Sequence, residues 1–512
     1  MPQMTDAPPV TPEAVTSEDA QAPVAAFLAA PGTLSPAIPE IRTTHISRLF
    51  FTPDRVFKQK RAIKLPFLDF SDPATRADAA AREITLNRRT APGIYLGLRS
   101  ITRDADGALA LDGTGDAIDW LVEMRRFDDS LLADRLAKEG RLSLSHVRSL
   151  ADQIITFHET IEKRPDMGGH AAMWTSIRDA VTALFGTTET SLAEELGPPL
   201  LTLCDHNRES LDNRRAASFV RQCHGDMHLG NICIIEEKAV PFDCIEFNDR
   251  IACVDVLYDL AFPVMDLLHF GLDHHANLLL NRYLAATRDY RGLACMPLFL
   301  AARAFVRTMV ESLSGNAAGA LEYAKLAERL RHTPAPRLVA VGGLSGTGKS
   351  SVAQALALQL APQSSNSAGA VILRSDEIRK RLFSQMPEDP LPTTAYHRDV
   401  SGRVFDRMME DALLTLKAGW PVILDTTFMA ADLRHRVEQL ARNANVGFTG
   451  LWLDAPADIL RERVTKRTGD ASDAGVEVLN RQLEADLGDI GWTRIDAQGD
   501  PEDVVGRAAH AL

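Results

Sequence analysis

No uninterrupted apolar run in this 512-residue chain approaches the roughly 20 residues needed to span a bilayer. Nor does the sequence open on a basic segment followed by an apolar core, so neither a membrane partner nor a secretory leader is expected. The six cysteines form no C-x-x-C pair, and none lies beyond Cys295. Reduced thiols and a cytoplasmic location are the corresponding expectation. Basic residues are outnumbered on both sides of Arg337 and the net charge is −13, which counts against a general polyanion binder. There is no internal repeat.

What is present is a 45% apolar, 24% charged composition, ordinary for a soluble globular protein, in a chain longer than one hydrophobic core usually spans. Residues 1 to about 22 are rich in Pro, Ala, Thr, Glu and Asp without apolar periodicity, which predicts a disordered tail, with a short helix near 24–28. Clustered β-formers at 45–51 and 55–60 around Thr52-Pro-Asp54 predict a hairpin. A helix over 72–88, strands over 95–101 and 119–125, and helical spacing from 130 to 211 follow. The pattern then changes to strand, polar loop and strand over 219–235, a further strand over 239–247, and helices from 254 to 330. His332-Thr-Pro-Ala-Pro336 reads as a stiff linker, so the expected division is a tail with a short helix over 1–38 and domains over 39–332 and 333–512.

Beyond that linker an apolar strand runs into Gly343-Leu-Ser-Gly-Thr-Gly-Lys-Ser350, the phosphate-loop pattern G-x-x-x-x-G-K-[ST]. Glycines let the backbone wrap a polyphosphate so that N–H groups and a helix N-terminus point at it, Lys349 neutralises charge, and the Ser350 hydroxyl ligates Mg²⁺. Gly343, Ser345, Gly346, Thr347, Gly348, Lys349, Ser350 and Ser351 are the candidate nucleotide-binding residues. Val352, Leu356 and Leu360 are spaced to face a sheet from the following helix.

Downstream, an apolar run ends in Arg374-Ser-Asp376 and opens a helix, placing Asp376 at the edge of a sheet where ligands of open α/β folds bind. A carboxylate there can take the proton of an attacking hydroxyl, and Arg379, one turn on, can hold an anionic acceptor. A second buried strand ends in Asp425, the place of the aspartate that organises Mg²⁺ in phosphate-loop enzymes. No Glu follows Asp425 to polarise water, which favours transfer to an acceptor over hydrolysis. A later helix carries Arg461, Arg463 and Arg467. This succession resembles the small phosphate-loop kinases grouped with gluconate kinase, the zeta toxins, chloramphenicol phosphotransferase and the 5′-polynucleotide kinases. The resemblance implies that Arg463 and Arg467 belong to a lid over the transferred phosphoryl group.

The earlier loop His224-Gly-Asp-Met-His-Leu-Gly-Asn231 holds an Asp and an Asn five residues apart, with Asp243 on the next strand turn. A base followed by two Mg²⁺ ligands is the protein-kinase arrangement. The segment resembles the aminoglycoside phosphotransferase-like kinases, whose hallmark is H-G-D-x-x-x-x-N followed by an I-D-x-E-like strand. By that resemblance Asp226 is the base, Asn231 and Asp243 are metal ligands, and Lys58, paired with Glu83, reaches the α/β-phosphates of ATP. Lys60 shares the face of Lys58 and competes for that role. Two departures stand out: Pro-Phe precedes Asp243, and no glycine-rich loop joins the first strands. His224 reads as a lock on the loop and not as a metal ligand with His228, and His269, His274 and His275 as a solvated helix end.

Together the motifs predict two domains. The N-terminal one is a bilobal, protein-kinase-like α+β domain, and the C-terminal one an α/β phosphate-loop kinase domain on a parallel sheet. Their tandem order resembles a bacterial family of bifunctional aminoglycoside phosphotransferase/ATP-binding proteins. That implies an ATP- and Mg²⁺-dependent phosphotransferase acting on a small-molecule hydroxyl. A 5′-hydroxyl nucleic-acid kinase is the competing enzyme, disfavoured by the acidic balance short of a local basic groove. A non-catalytic ATP-responsive sensor is the alternative of another class.

Overall fold

The computed structural model describes residues 15–65, 68–332, 335–360, 368–466 and 474–512. Packing divides the chain into two compact units. One runs through Leu136 and takes in Gln222–Val254, and the other comprises Ala137–Arg221 and Asp255–Leu512.

The first unit is built on a six-stranded antiparallel sheet in the order Glu40–Thr43, Ser47–Phe51, Arg55–Lys60, Asp116–Arg125, Tyr95–Arg103, Leu109–Leu111. Alternation along each strand serves two faces. Val56, Val122 and Met124 pack with Ala80 and Ile84 of the helix Pro73–Asn87, which Asp72 caps through the Thr75 N–H. Phe50, Phe57, Ile101 and Leu121 pack on the other side with Val24 and Leu28 of the helix Val15–Ala29. That helix begins earlier than the irregular tail expected through about residue 22. The i,i+4 pair Val24 and Leu28 buries against the sheet, and Gln21 is tied down by bonds from its amide nitrogen to Lys60 O (2.8 Å) and Asp119 Oδ2 (2.7 Å). Composition does not reveal such an anchor. Residues 1–14 lie outside the described residues. A hairpin, Ile232–Ile235 with Lys238–Pro241, also belongs to this unit.

The second unit joins a helical body to a five-stranded parallel sheet in the order Val371–Arg374, Val422–Asp425, Arg337–Gly343, Gly447–Asp454, Thr493–Asp496. Its central strands are mostly apolar where helices cover them: Val352, Leu356 and Leu360, together with Val504 and Ala508, bury against Val339, Val341, Ile423 and Leu451. The stretch Tyr290–Leu313 is long and apolar enough to cross a membrane by length and composition, but 72% of its most apolar window is buried inside the protein. Arg303 within it lies 3.7 Å over the Tyr258 ring. It is a core helix.

The edge strand Val371–Arg374 is closed by side chains of the helix Asp273–Thr287. Asn281 accepts from the Ile372 N–H (2.7 Å) and donates to Ala370 O (3.2 Å), the pair of bonds a neighbouring strand would make. Asn277, one turn earlier, donates to Ala368 O (2.6 Å) and Ala370 O (3.0 Å). Trp420 adds an indole bond to Leu293 O (2.9 Å), and Arg288 pairs with the buried Asp411 at 2.5 Å. The strand that leads to Asp376 is therefore seated on the helical body.

Candidate active sites

In the first unit the two-residue repeat of strand Arg55–Lys60 places Lys58 and Lys60 on one face, both buried. Lys58 Nζ lies 2.9 Å from Glu83 Oε1 and 2.5 Å from Asp243 Oδ1. Lys60 pairs with the other Glu83 oxygen and with Glu246. Glu83 thus bridges both lysines, and Lys58 alone of the two pairs with Asp243. Burial works against both ammonium charges, yet Asp243 and Glu83 outweigh it at Lys58, and Glu246 and Glu83 at Lys60, so both pKa values stand above the ordinary lysine range. Asp243 is held below the usual carboxylate range, since Lys58 overcomes the cost of burial, whereas burial keeps Glu246 above it despite Lys60.

The backbone delivers Asp243 in a left-handed conformation, φ 62°. Its N–H donates to the Tyr95 hydroxyl (3.1 Å), and the next N–H, of Cys244, donates to Asn87 Oδ1 (2.9 Å). Asn87 lies one turn beyond Glu83 and donates to the Glu83 carbonyl (2.9 Å), which ties the glutamate's helix to the aspartate's turn.

The Asp226 loop is joined to the same turn. His224 Nε2 donates to Phe242 O (3.0 Å), and Phe242 and Ile245 return N–H bonds to Asn231 O and His224 O, each 2.9 Å. With Nε2 donating, His224 Nδ1 accepts the Asp226 N–H (3.4 Å), so the histidine braces the loop. Asn231 Nδ2 donates to Asp226 Oδ2 (3.1 Å) and to Asp226 O (2.9 Å). His228 caps Gly230 through Nδ1, with Nε2 3.6 Å from Asp226 Oδ2.

In the second unit the strand Arg337–Gly343 leads into the phosphate loop and the helix Lys349–Gln359. Gly343 has φ 139°, and a Cβ there would fall 2.5 Å from Leu453 O, so only glycine fits. At Gly348, φ 86°, a Cβ would meet nothing within 4 Å: the helix N-terminus faces open space, as an anion cradle requires. Lys349 Nζ donates to Leu344 O (2.9 Å), as does Thr347 Oγ1 (2.9 Å). The Ser345 N–H donates to Gln482 Oε1 (2.8 Å), and Gly346 packs close to Leu460 and Val464. Ser351 is exposed on the first turn.

Ser350 Oγ donates to Asp425 Oδ2 at 2.6 Å, a pair of hard oxygens beside the loop that suits Mg²⁺. Arg374 lies against both, with Nε 3.2 Å from Asp425 Oδ2, Nη2 donating to Ser350 Oγ (2.9 Å) and Nη1 3.2 Å from Glu377 Oε1. Parallel pairing sets Arg374 beside Asp425 in register. The strand stops at Arg374, so Asp376 lies not at a strand end but in the first turn of the helix Ser375–Leu382, where the macrodipole favours a carboxylate. Arg379, one turn further, is buried. It donates to Ala395 O (2.7 Å) and Ser401 Oγ (3.3 Å), its Nε has no hydrogen-bond partner, and burial lowers its pKa against the pull of Asp376.

Arg463 donates to the carbonyls of Ala497 (2.9 Å) and Gly499 (3.4 Å), and Arg461 to Asn480 Oδ1 (3.1 Å). Arg467 lies outside the described residues. The histidines expected at a solvated helix end are more engaged than that: His269 stacks on Tyr323 at 4.0 Å, and His275 donates to Leu142 O (2.9 Å).

Sequence reasoning passed over Arg374, Gln482, Asn87 and Tyr95. A lone arginine closing an apolar strand was the available signal for Arg374. The others act through pairings that no spacing rule discloses.

Residues 338–485 match the family described as AAA domain. An uncharacterized protein of Mycobacterium tuberculosis and one of Mycobacterium bovis are each 27% identical to the chain over 501 residues, which cover 92% of this chain and 95% of the relative. A choline/ethanolamine kinase family protein from Mesorhizobium loti is similar in structure over 62% of this chain and 95% of its own, at 14% identity and a TM-score of 0.37. A gluconokinase from Sinorhizobium meliloti is similar over 35% of this chain and 93% of its own, at 22% identity and a TM-score of 0.25. The expected fold classes are present in both parts. One is an α+β arrangement in which Lys58 pairs with Glu83 and Asn231 bonds to Asp226, and the other an α/β phosphate-loop domain on a parallel sheet.

Proposed function

We propose that the chain is a tandem kinase, with domains over 39–332 and 333–512, whose phosphate-loop domain moves the γ-phosphoryl group of ATP to a hydroxyl of a small molecule. The observation that carries this reading is the Ser350–Asp425 pair at the mouth of a loop that begins its helix with Lys349. Mg²⁺-ATP, when bound, supplies the electrophilic phosphorus and the metal charge that relieves its oxygens. The chain's residues do the rest. Backbone N–H groups from Gly346 to Ser350 and the Lys349 ammonium hold the β/γ-phosphates, and Ser350 with Asp425 holds the metal. Asp376 takes the acceptor's proton while Arg379, a buried cation with an unused N–H, orients an anionic part of the acceptor. Arg463 is assigned to the lid segment, on the helix Ala457–Lys466 whose Leu460 and Val464 lie close to Gly346.

In the first domain Lys58 reaches the α/β-phosphates and Glu83 positions it. Asn231 and Asp243 take the metal, and Asp226 receives the acceptor proton. Lys60, locked on Glu83 and Glu246, is assigned to the frame. Calorimetric titration of the full chain with ATP and Mg²⁺ tests the reading: two sites in the wild type, one in Lys349→Ala. Two undiminished sites in that variant would remove the phosphate loop from the assignment.

A further inference from the structure

Arg374 addresses the atoms that a divalent cation in the phosphate-loop site would take. Its Nη2 uses a lone pair of Ser350 Oγ, and its Nε faces Asp425 Oδ2, the oxygen that accepts the serine hydroxyl. The pair is largely sequestered, with side-chain exposures of 13% for Arg374 and 5% for Asp425, so their attraction is weakly screened. The third nitrogen holds Glu377 at 3.2 Å, on the following helix. A guanidinium can address three sites at once because its donors form a rigid fork, which lysine cannot reproduce.

We infer that Arg374 is a resident cation of the metal position. It keeps Ser350 and Asp425 in place when no metal is bound and gives way when Mg²⁺ arrives. Retained beside the loop by Glu377, it then lends its charge to the bound nucleoside polyphosphate. Two consequences follow from charge alone. Nucleotide binds this site without divalent metal better than it would to the loop and Lys349 by themselves. Mg²⁺ meanwhile must compete with a cation already in place, so more of it is needed to saturate. This rests on the phosphate-loop domain being a nucleotide site.

The test uses the full chain and a fluorescent ADP analogue, scoring the binding component that Lys349→Ala abolishes. Titrations are run in EDTA and at graded Mg²⁺. Arg374→Met is expected to weaken metal-free binding by about tenfold, the scale of one charge-assisted contact, and to lower the Mg²⁺ concentration for half-saturation by roughly threefold or more. Arg374→Lys keeps the charge without the fork and should fall between the two, which keeps the inference testable if the methionine variant does not fold. Unchanged metal-free binding, or a Mg²⁺ requirement that stays the same or rises in both variants, would make Arg374 a brace for Asp425 and overturn the inference. Absence of the component from the wild type at saturating Mg²⁺ would instead overturn the nucleotide-site reading.

Discussion

The two sites hold their phosphate-directed lysines in opposite ways. Lys58 is buried against two carboxylates, one of them the Asp243 assigned to the metal, whereas the Lys349 ammonium rests on the carbonyl oxygen of Leu344. Charge-assisted bonds are about twice as strong as neutral ones, so the resting first site is the more tightly closed. For Lys58 to serve a phosphate, Asp243 must first turn to the metal. At Lys349 the bonds to be exchanged for a phosphate include one to a neutral oxygen, Leu344 O. On the proposed reading the first site would assemble with its metal, whereas the second would have phosphate donors laid out by backbone before anything binds. Nucleotide binding at the first site should accordingly depend more steeply on Mg²⁺ than binding at the second.

The largest expected effects separate chemistry from binding at each site. Asp376→Asn in the full chain should leave nucleotide affinity intact and lower turnover by roughly 10²–10⁴-fold, the usual consequence of losing a general base. Asp226→Ala should do the same for any transfer by the first site, and Asp243→Ala should instead weaken its Mg²⁺-ATP binding. Equal rates in Asp376→Asn and wild type would leave that carboxylate as a helix-dipole partner. Equal loss of binding from Asp226→Ala and Asp243→Ala would erase the distinction between base and metal ligand.

Next in size is a stability contrast. Lys60→Met removes a fully buried cation from between Glu83 and Glu246, and stranding buried carboxylates costs about 3–5 kcal/mol. Lys349→Ala removes a cation seated on a carbonyl and should change stability by no more than about 0.5 kcal/mol. Urea denaturation of both variants measures the difference. A Lys60→Met protein as stable as wild type would show that the cluster is not a frame.

That contrast also marks how far the sequence could be read. The phosphate loop was legible because its spacing is its mechanism: Gly343, Gly348, Lys349 and Ser350 act within eight consecutive residues. The Asp226 to Asn231 loop is likewise local in sequence, and the structure joins its two ends by the Asn231 Nδ2 bonds to Asp226. The choice between Lys58 and Lys60 was not, because both lie on one face of one strand and differ only in how far along it they meet Glu83, Asp243 and Glu246. Arg374 escaped because its importance comes from lying beside Asp425 across a parallel pairing, and parallel register leaves no trace in a single chain's pattern. The early helix escaped because Gln21 acts through bonds to strands far along the chain.

A smaller effect bears on the seating of the strand Val371–Arg374. Asn281 stands in for an absent strand neighbour of Ala370 and Ile372. Asn281→Ala leaves the Ile372 N–H without that acceptor, at a cost of about 1–3 kcal/mol. Because this strand ends at Arg374 and leads to Asp376, turnover at the phosphate-loop site should fall with it, while nucleotide binding to the first site stays unchanged. Undisturbed turnover and stability would show that the loop-side sheet holds its geometry without the helical body.

The smallest expected effect is in pH, and it again divides the molecule. In the first unit Asp243 lies below its ordinary value of 3.8, so its stabilising contribution is present above that pH and lost as pH falls through the native value. Lys58 lies well above 10.5, so its contribution is present below that pH and lost only on further alkalinisation. Between these limits the pair gives no slope. In the second unit His269, His274 and His275 all lie below the ordinary 6.5, because burial penalises the charged ring. A depressed imidazole binds fewer protons folded than unfolded, so stability is whole above pH 6.5 and declines as pH falls through it. His269 and His275 are only partly buried and His274 is exposed, which keeps the decline shallow. Thermal unfolding between pH 7.5 and 5.5 should therefore show a modest downward drift in wild type that becomes shallower in His269→Gln, whose amide still covers Tyr323 but does not titrate. An identical drift in that variant would take His269 out of the titration and leave the drift to His274, His275 or other groups.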